Sequence, residues 1–268
     1  MNYIPLTPLD LALAATLLLI NAGISIAFNL GLERTLVFSA GRMVAQLALV
    51  GLVLKWIFAQ SSLAWTLAFA IVMIAVAGYE VLARQDRPIR GAAAYGLGAG
   101  TLLFVGMAAT LFAVAGIVSP EPWYAPRYVL PILGMVLGNA LTGVGLVLNT
   151  LTTSAHRDRA AIEARLALGA TRHEAMSDIL RGALKTGMMP IVNAMAASGI
   201  VSLPGMMTGQ ILAGVDPIEA TKYQILIMFV IAGSTALGVV VAGFGGVYLL
   251  TDDRHRLRLD RLAERREP

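Results

Sequence analysis

The residues able to do chemistry in this chain are few, and most are polar side chains inside long apolar runs. There is no cysteine, which excludes disulfides, thiol nucleophiles, cysteine zinc sites and iron–sulfur clusters. Polar groups within a membrane are costly, so each is a candidate for solute passage. The alternative for each is a hydrogen bond between helices. The candidates for a translocation path are Arg42, Gln46, Asn139, Asn193, Ser202, Pro204, Gly205, Met206, Met207 and Gln210.

The Pro204-Gly205 pair predicts a break in an otherwise helical apolar segment. Proline lacks a backbone donor and glycine loosens the chain. A broken helix at membrane depth is tolerated only where it is buried or lines a cavity. Carbonyl groups freed beside Ser202 and Met206 could therefore face a path for solute, and a bend without any transport role is the alternative.

A metal-binding site is hardly visible in the sequence. The hard-cation ligands nearest a predicted outer face are Asp216 and Glu219. All three histidines fall on the predicted cytoplasmic side, and most of the 12 methionines are expected to be packing residues. The metal ligands stay unassigned.

The elements that must position these residues are membrane-spanning helices. The chain has 268 residues, of which 57% are hydrophobic and 13% charged, whereas soluble domains carry about 25% charged residues. We predict one all-α membrane domain over 1–268, with about seven spans of roughly 20 residues each. The predicted spans lie near 9–29, 36–58, 63–82, 93–118, 128–151, 188–213 and 223–250.

Pairs of glycines four residues apart predict sites where helices approach closely. They favour packing within the chain or between two copies of it. The pairs are Gly96 and Gly100, Gly134 and Gly138, and Gly205 and Gly209.

The basic residues predict the orientation. Sixteen of the 20 Lys and Arg residues follow predicted spans one, three, five and seven, and only Arg127 and Lys222 lie in the opposite loops. This asymmetry predicts an outer N-terminus and a cytoplasmic C-terminus. It also accounts for the net charge of +4 without nucleic acid as a partner.

The longest polar segment, 152–187, is predicted to be cytoplasmic. Apolar residues recur in it at helical spacing, and Gly169 and Thr171 interrupt the pattern. We therefore predict a short helix, a turn and a second helix leading into the sixth span. The charged tail from Thr251 onwards is predicted to be a frayed helix.

Within this segment, residues 163–171 resemble the cytoplasmic EAA loop of ABC-transporter permeases. Glu163, Ala164, Gly169 and Ile179 match that pattern, whereas Arg165 replaces the second alanine and the closing Leu-Pro is absent. A short helix of small residues can seat closely in a groove on an ATPase. The alternative is an amphipathic helix lying on the membrane surface. The predicted ATPase-coupling residues are Glu163, Ala164, Ala167, Leu168, Gly169, Ala170 and Thr171.

A wider resemblance covers nearly the whole chain, which looks like the FetB-type (UPF0014) permease family, described as iron export permeases. Its most specific block is 201–209, Val-Ser-Leu-Pro-Gly-Met-Met-x-Gly. Further matches are Gly41-Arg42, Gln46, 53–58, Pro131-Ile132, Gly134-Met135, Gly138-Asn139, 144–146, 168–171, Ile211, Ala213-Gly214, Asp216-Pro217, Ala220 and 222–225.

The resemblance implies a non-catalytic permease subunit in a bacterial inner membrane, working with a separate ATP-binding subunit as two permeases plus two ATPases. The chain has no phosphate-binding G-x-x-x-x-G-K-[ST] loop, so we expect it to bind no cofactor and ATP and Mg²⁺ to bind the partner. The cargo implied is iron or another metal ion. The alternatives are a non-metal cargo such as a nucleotide sugar, a secondary transporter that needs no ATPase, and a membrane scaffold.

Overall fold

The computed structural model describes residues 7–264, and these residues are almost entirely helical. The predicted all-α polytopic membrane fold is confirmed. A π-helical segment, Phe112–Val118, extends the helix Ala92–Leu111, and a short 3₁₀ turn covers Leu259–Arg261. The α-helices within 7–264 are α1 (Pro8–Ala27), α2 (Glu33–Gln60), α3 (Leu63–Ala83), α4 (Ala92–Leu111), α5 (Pro126–Arg157), α6 (Arg159–Ala167), α7 (Arg172–Ala197), α8 (Gly205–Leu212) and α9 (Pro217–Leu249).

The chain divides into two compact units, residues 1–61 and 62–268. In the first, α1 packs against α2. Helix α1 starts at a capping box, in which Thr7 accepts the main-chain N–H of Asp10 and the Asp10 carboxylate accepts that of Thr7. The Ser25 hydroxyl lies 2.9 Å from a carboxylate oxygen of Glu33 and joins the end of α1 to the start of α2.

In the second unit, α5 is the central helix. Helix α3 packs on α4, α4 on α9 and α9 on α7, and all four contact α5. Most residues of α5 from Leu130 to Leu151 are buried by this arc of helices. One stripe of α5 stays partly open along Gly138, Asn139 and Thr142.

Helices α5 and α7 touch through their main chains at Gly143 and Gly187. A Cβ atom added to Gly187 would lie 2.9 Å from the carbonyl oxygen of Gly143, and one added to Gly143 would lie 3.0 Å from that of Gly187. Only glycine permits so close an approach. Most glycines of the predicted pairs have no neighbouring atom of this chain within 4 Å of an added Cβ. They are Gly96, Gly100, Gly138, Gly205 and Gly209.

Six helices in the described residues are long and apolar enough to cross a membrane, namely α1, α2, α3, α4 with its π-helical extension, α5 and α9. The predicted span 188–213 is wrong as a single helix. Helix α7 ends at Ala197 and α8 begins at Gly205. Residues 198–204 separate them because Gly199 has a positive φ of 96° and Pro204 has no N–H to donate. The total of seven spans stays a prediction, as does the single domain over 1–268.

Three basic segments meet at one end of the second unit. The N–H of Asp86 donates to the Asn149 side-chain oxygen (2.8 Å), and the N–H of Arg90 donates to the carbonyl oxygen of Arg261 (2.6 Å). The loop 84–91, the region around α6 and the tail 250–264 therefore share one end, as the predicted orientation requires. Arg265 and Arg266, also counted as basic tail residues, lie outside the described residues.

Candidate coupling surface and translocation residues

The predicted helix, turn and second helix of segment 152–187 are confirmed. Helix α6 contains Glu163, Ala164 and Ala167, all exposed, and is anchored by Ile162, which is 2% exposed. After it, the chain turns sharply at Gly169, whose φ is +90°. Leu168 stands at the tip of this turn with 88% of its surface exposed. We call residues 168–171 the coupling turn.

Hydrogen bonds and ion pairs fix the orientation of this region. Arg159 pairs with Glu163 along α6 at 2.8 Å, and Arg165 reaches across to Asp178 on α7 at 2.7 Å. Both ion pairs are solvent-exposed, and the large apolar side chain that the turn presents to solvent is that of Leu168.

A capping box starts α7 directly after the turn. The Thr171 hydroxyl accepts the N–H of Glu174, and the Glu174 carboxylate accepts the N–H of Thr171 at 2.8 Å. The hydrogen bonds from the main chain and hydroxyl of Thr171 stabilise the charged carboxylate, so they lower the pKa of Glu174. The cap is therefore intact at neutral pH and weakens only as the pH falls through that lowered pKa.

The tail also contacts the start of α7. The N–H of Arg172 donates to the Nδ1 atom of His255 at 3.2 Å. The Arg172 guanidinium lies 4.9 Å from the ring centre of Tyr248 on α9 and 3.8 Å from the carboxylate of Asp253. The exit of the coupling turn is thus joined to both α9 and the tail.

The prediction of a frayed helix for the tail is wrong over its described part. Residues 252–256 form a tight loop in which the Asp252 carboxylate accepts hydrogen bonds from Arg256 and Arg254. The bonds from the main chain and side chain of Arg256 lower the pKa of Asp252. These short-range hydrogen bonds compete with helix formation.

The rest of the tail is fastened to the neighbouring loop and to α9. The Arg258 guanidinium binds Asp260 at 2.8 Å and lowers the pKa of that carboxyl to about 2. Arg261 donates to the carbonyl oxygen of Leu249 at 2.7 Å, and the N–H of Ala263 donates to that of Pro88 at 2.8 Å. The tail up to residue 264 is therefore an ordered part of the second unit.

Two of the predicted path residues, Arg42 and Gln46, lie in the first unit, on an exposed face of α2. Asn139 and Asn193 lie in the second unit on α5 and α7. Asn139 is half-buried and donates to the carbonyl oxygen of Met135 at 2.9 Å, whereas Asn193 is exposed.

The remaining path residues lie at or after the break between α7 and α8. The N–H of Gly199 donates to the carbonyl oxygen of Ser202 at 2.9 Å, and that of Ser202 to Ala197 at 3.0 Å, which closes a compact turn. Ile200 and Val201 at this turn are 98% and 82% exposed. Pro204 then caps α8, and Gly205 is its first residue.

Two cavities flank α8. The larger cavity, of about 540 Å³, is lined by Pro204 and Met207, together with Met195, Gln224 and Phe229. The smaller cavity, of about 230 Å³, is lined in part by Met206 and Gln210. The side-chain oxygens of Gln210 and Gln224 are buried and have no hydrogen-bond partner.

The structure therefore brings together Pro204 with Met207, and Met206 with Gln210. It does not bring Asn139 or Asn193 to either cavity. A mostly apolar cavity with a few polar groups is typical of sites for small organic molecules.

Asp216 and Glu219, the predicted hard-cation ligands, already have partners. Asp216 caps α9 by accepting the N–H groups of Ile218 and Glu219. The Glu219 carboxylate pairs with Lys222 at 2.7 Å. Within residues 7–264 no group of three or more His, Asp or Glu side chains is arranged to hold a metal ion.

Sequence reasoning missed Arg172, His255 and Gln224. Gln224 lies in an apolar run, where a polar side chain is costly, so the sequence alone could have marked it as a candidate functional residue. Nothing in the sequence indicated the contact between Arg172 and His255, because the two residues are 83 positions apart.

Comparison with known proteins agrees with this architecture. A model of the "Uncharacterised protein family (UPF0014)" matches residues 8–249. The chain is 33% identical to the "Probable iron export permease protein FetB" of Escherichia coli (strain K12), over 99% of this chain and 100% of that protein.

Plant proteins are similar as well. Identity is 33% to the "UPF0014 membrane protein STAR2" of Oryza sativa subsp. japonica, over 85% of this chain and 81% of that protein. The chain is 32% identical to the "Protein ALUMINUM SENSITIVE 3" of Arabidopsis thaliana, over 87% of this chain and 83% of that protein. No solved structure matches significantly. The chain therefore belongs to the UPF0014 family of membrane proteins.

Proposed function

We propose that this protein is the permease subunit of an ABC transporter in a bacterial inner membrane and that it exports iron or another metal ion. It works with a separate ATP-binding subunit, which holds ATP and Mg²⁺, in an assembly of two permeases and two ATPases. The chain itself is non-catalytic. The iron cargo is suggested by the printed name of the Escherichia coli relative.

The observation that carries the proposal is the coupling turn. Leu168 projects, 88% exposed, from a turn that Ile162, Gly169 and the Thr171 cap hold in place. An exposed apolar side chain at the tip of a turn is suited to a pocket on a partner protein. A helix lying flat on lipid would instead need a continuous apolar face, whereas Ala164 and Ala167 offer little apolar surface.

The deciding experiment measures complex formation and ATPase activity with the candidate ATP-binding subunit in lipid nanodiscs, with and without ferrous iron. We expect Leu168→Asp to abolish the complex, because it places a charge in an apolar pocket. The conservative Leu168→Met keeps size and polarity and should bind like wild type.

The outcomes separate the candidate functions. A complex stimulated by iron supports the metal exporter. A complex that responds to a nucleotide sugar, and not to iron, leaves the permease assignment intact and changes the cargo. Equal behaviour of Leu168→Asp and wild type, or no complex with wild type, would contradict the ABC assignment and leave a secondary transporter or scaffold.

A further inference from the structure

We propose that the loop 252–256 clamps the coupling turn onto α9, with neutral His255 as the positioning residue that holds the start of α7. This inference rests on the proposed function, because it assigns His255 a part in transmitting the movement of the ATPase. It concerns a segment that begins after residue 249, where the match to the family model ends.

The loop is built to present one side chain. The Asp252 N–H donates to the carbonyl oxygen of Arg256 at 3.0 Å, and the N–H of Arg258 donates to that of Leu250 at 2.8 Å, which closes the base of the loop. Inside it, His255 has a φ of +54°. A side-chain residue adopts this conformation at a cost, and such strain is kept where the surroundings enforce it.

The contact that His255 makes meets a need of α7. The first N–H groups of a helix have no acceptor within the helix. The capping box satisfies those of Thr171 and Glu174, and the Nδ1 atom of His255 satisfies that of Arg172. A ring nitrogen that accepts must carry no proton, so the neutral ring holds its proton on Nε2.

A second link makes the clamp continuous with the bundle. The Arg172 side chain is 19% exposed and lies over the ring of Tyr248 on α9. Its Nη1 atom is buried without a hydrogen bond, and the nearest carboxylate oxygen, on Asp253, is 3.8 Å away. Arg172 thus links the start of α7 to α9, in addition to the direct packing of the two helices.

The test compares His255→Asn with His255→Ala in the permease–ATPase complex. The Oδ1 atom of asparagine takes the place of Nδ1, and asparagine tolerates positive φ. His255→Gly is the control for backbone strain. The measurements are complex formation, cargo-stimulated ATPase rate, and hydrogen exchange of residues 168–174 in the permease alone.

We expect His255→Asn to keep the stimulation of wild type, because its Oδ1 atom can accept the N–H of Arg172. His255→Ala and His255→Gly should bind the ATPase but show stimulation reduced roughly threefold or more, with exchange faster by a similar factor. Unchanged exchange and stimulation in His255→Ala would overturn the clamp. Faster exchange with normal stimulation would overturn its coupling role alone. A wild-type chain that forms no complex defeats the proposed function and the coupling role with it.

Discussion

At the scale of single residues, local chemistry predicted the coupling turn well. Gly169 and Thr171 interrupt a helical pattern, and the structure turns there. Thr171 with Glu174 three residues later is also a capping-box signal, which the prediction did not use. The exposure of Leu168 could not be predicted in this way, because it depends on how α6 is anchored by Ile162.

We predict that Gly169→Ala destabilises the coupling turn by about 1 kcal/mol, because alanine is strained at positive φ. A Cβ at Gly169 would meet open space, so backbone strain is the whole effect. Gly182→Ala on α7 is the matched control, since it also faces open space but has no positive φ. Limited trypsin digestion at Arg165 and Arg172 measures the difference, and equal digestion of the two variants would contradict it.

At the scale of elements, hydropathy located the helices but not their contacts. Glycine pairs at four-residue spacing pointed to Gly134 and Gly138 on α5, yet the main-chain contact with α7 is made by Gly143. Spacing along one helix cannot say which partner lies opposite, because that depends on the register of the second helix. The prediction also divided α7 between the polar segment 152–187 and the span from 188, because polarity changes along what is one helix from Arg172 to Ala197.

We predict that Gly143→Ala lowers the free energy of unfolding by about 1–3 kcal/mol, as overpacking of a tight contact does. The added Cβ would lie 2.8 Å from a methyl of Val239 as well as near the Gly187 carbonyl. Gly138→Ala on the same helix faces open space and should leave stability unchanged or slightly raised. Thermal unfolding in detergent is the measurement, and a Gly143→Ala variant as stable as Gly138→Ala would refute this account.

At the scale of the whole molecule, composition and charge carried most of the information. Lipid forces the backbone to satisfy its own hydrogen bonds, so long apolar runs had to become helices. The shared end of the three basic segments agrees with the charge asymmetry. The cavity residues do not identify the cargo, because the buried, unpartnered side-chain oxygens of Gln210 and Gln224 could accept a hydrogen bond from many kinds of ligand.

The predicted orientation is open to a direct test, because the chain has no cysteine that would react with a label. Single cysteines at Lys222→Cys and Arg254→Cys lie in segments assigned to opposite sides. A membrane-impermeant maleimide added to intact cells should label the first and spare the second until the membrane is opened. The reverse result would place the tail outside the cell.

The Gly143–Gly187 contact also has a mechanical consequence. At 1.5 Å per residue, α7 extends about 22 Å from Arg172 to Gly187 and about 15 Å from there to Ala197. If α7 tilts as a rigid rod about this crossing, Gly187 is its fulcrum. A displacement of about 3 Å at the coupling turn then becomes one of about 2 Å, in the opposite direction, at the break before α8. The two arms would make α7 a reversing lever, in which a pull on the ATPase side pushes the broken segment.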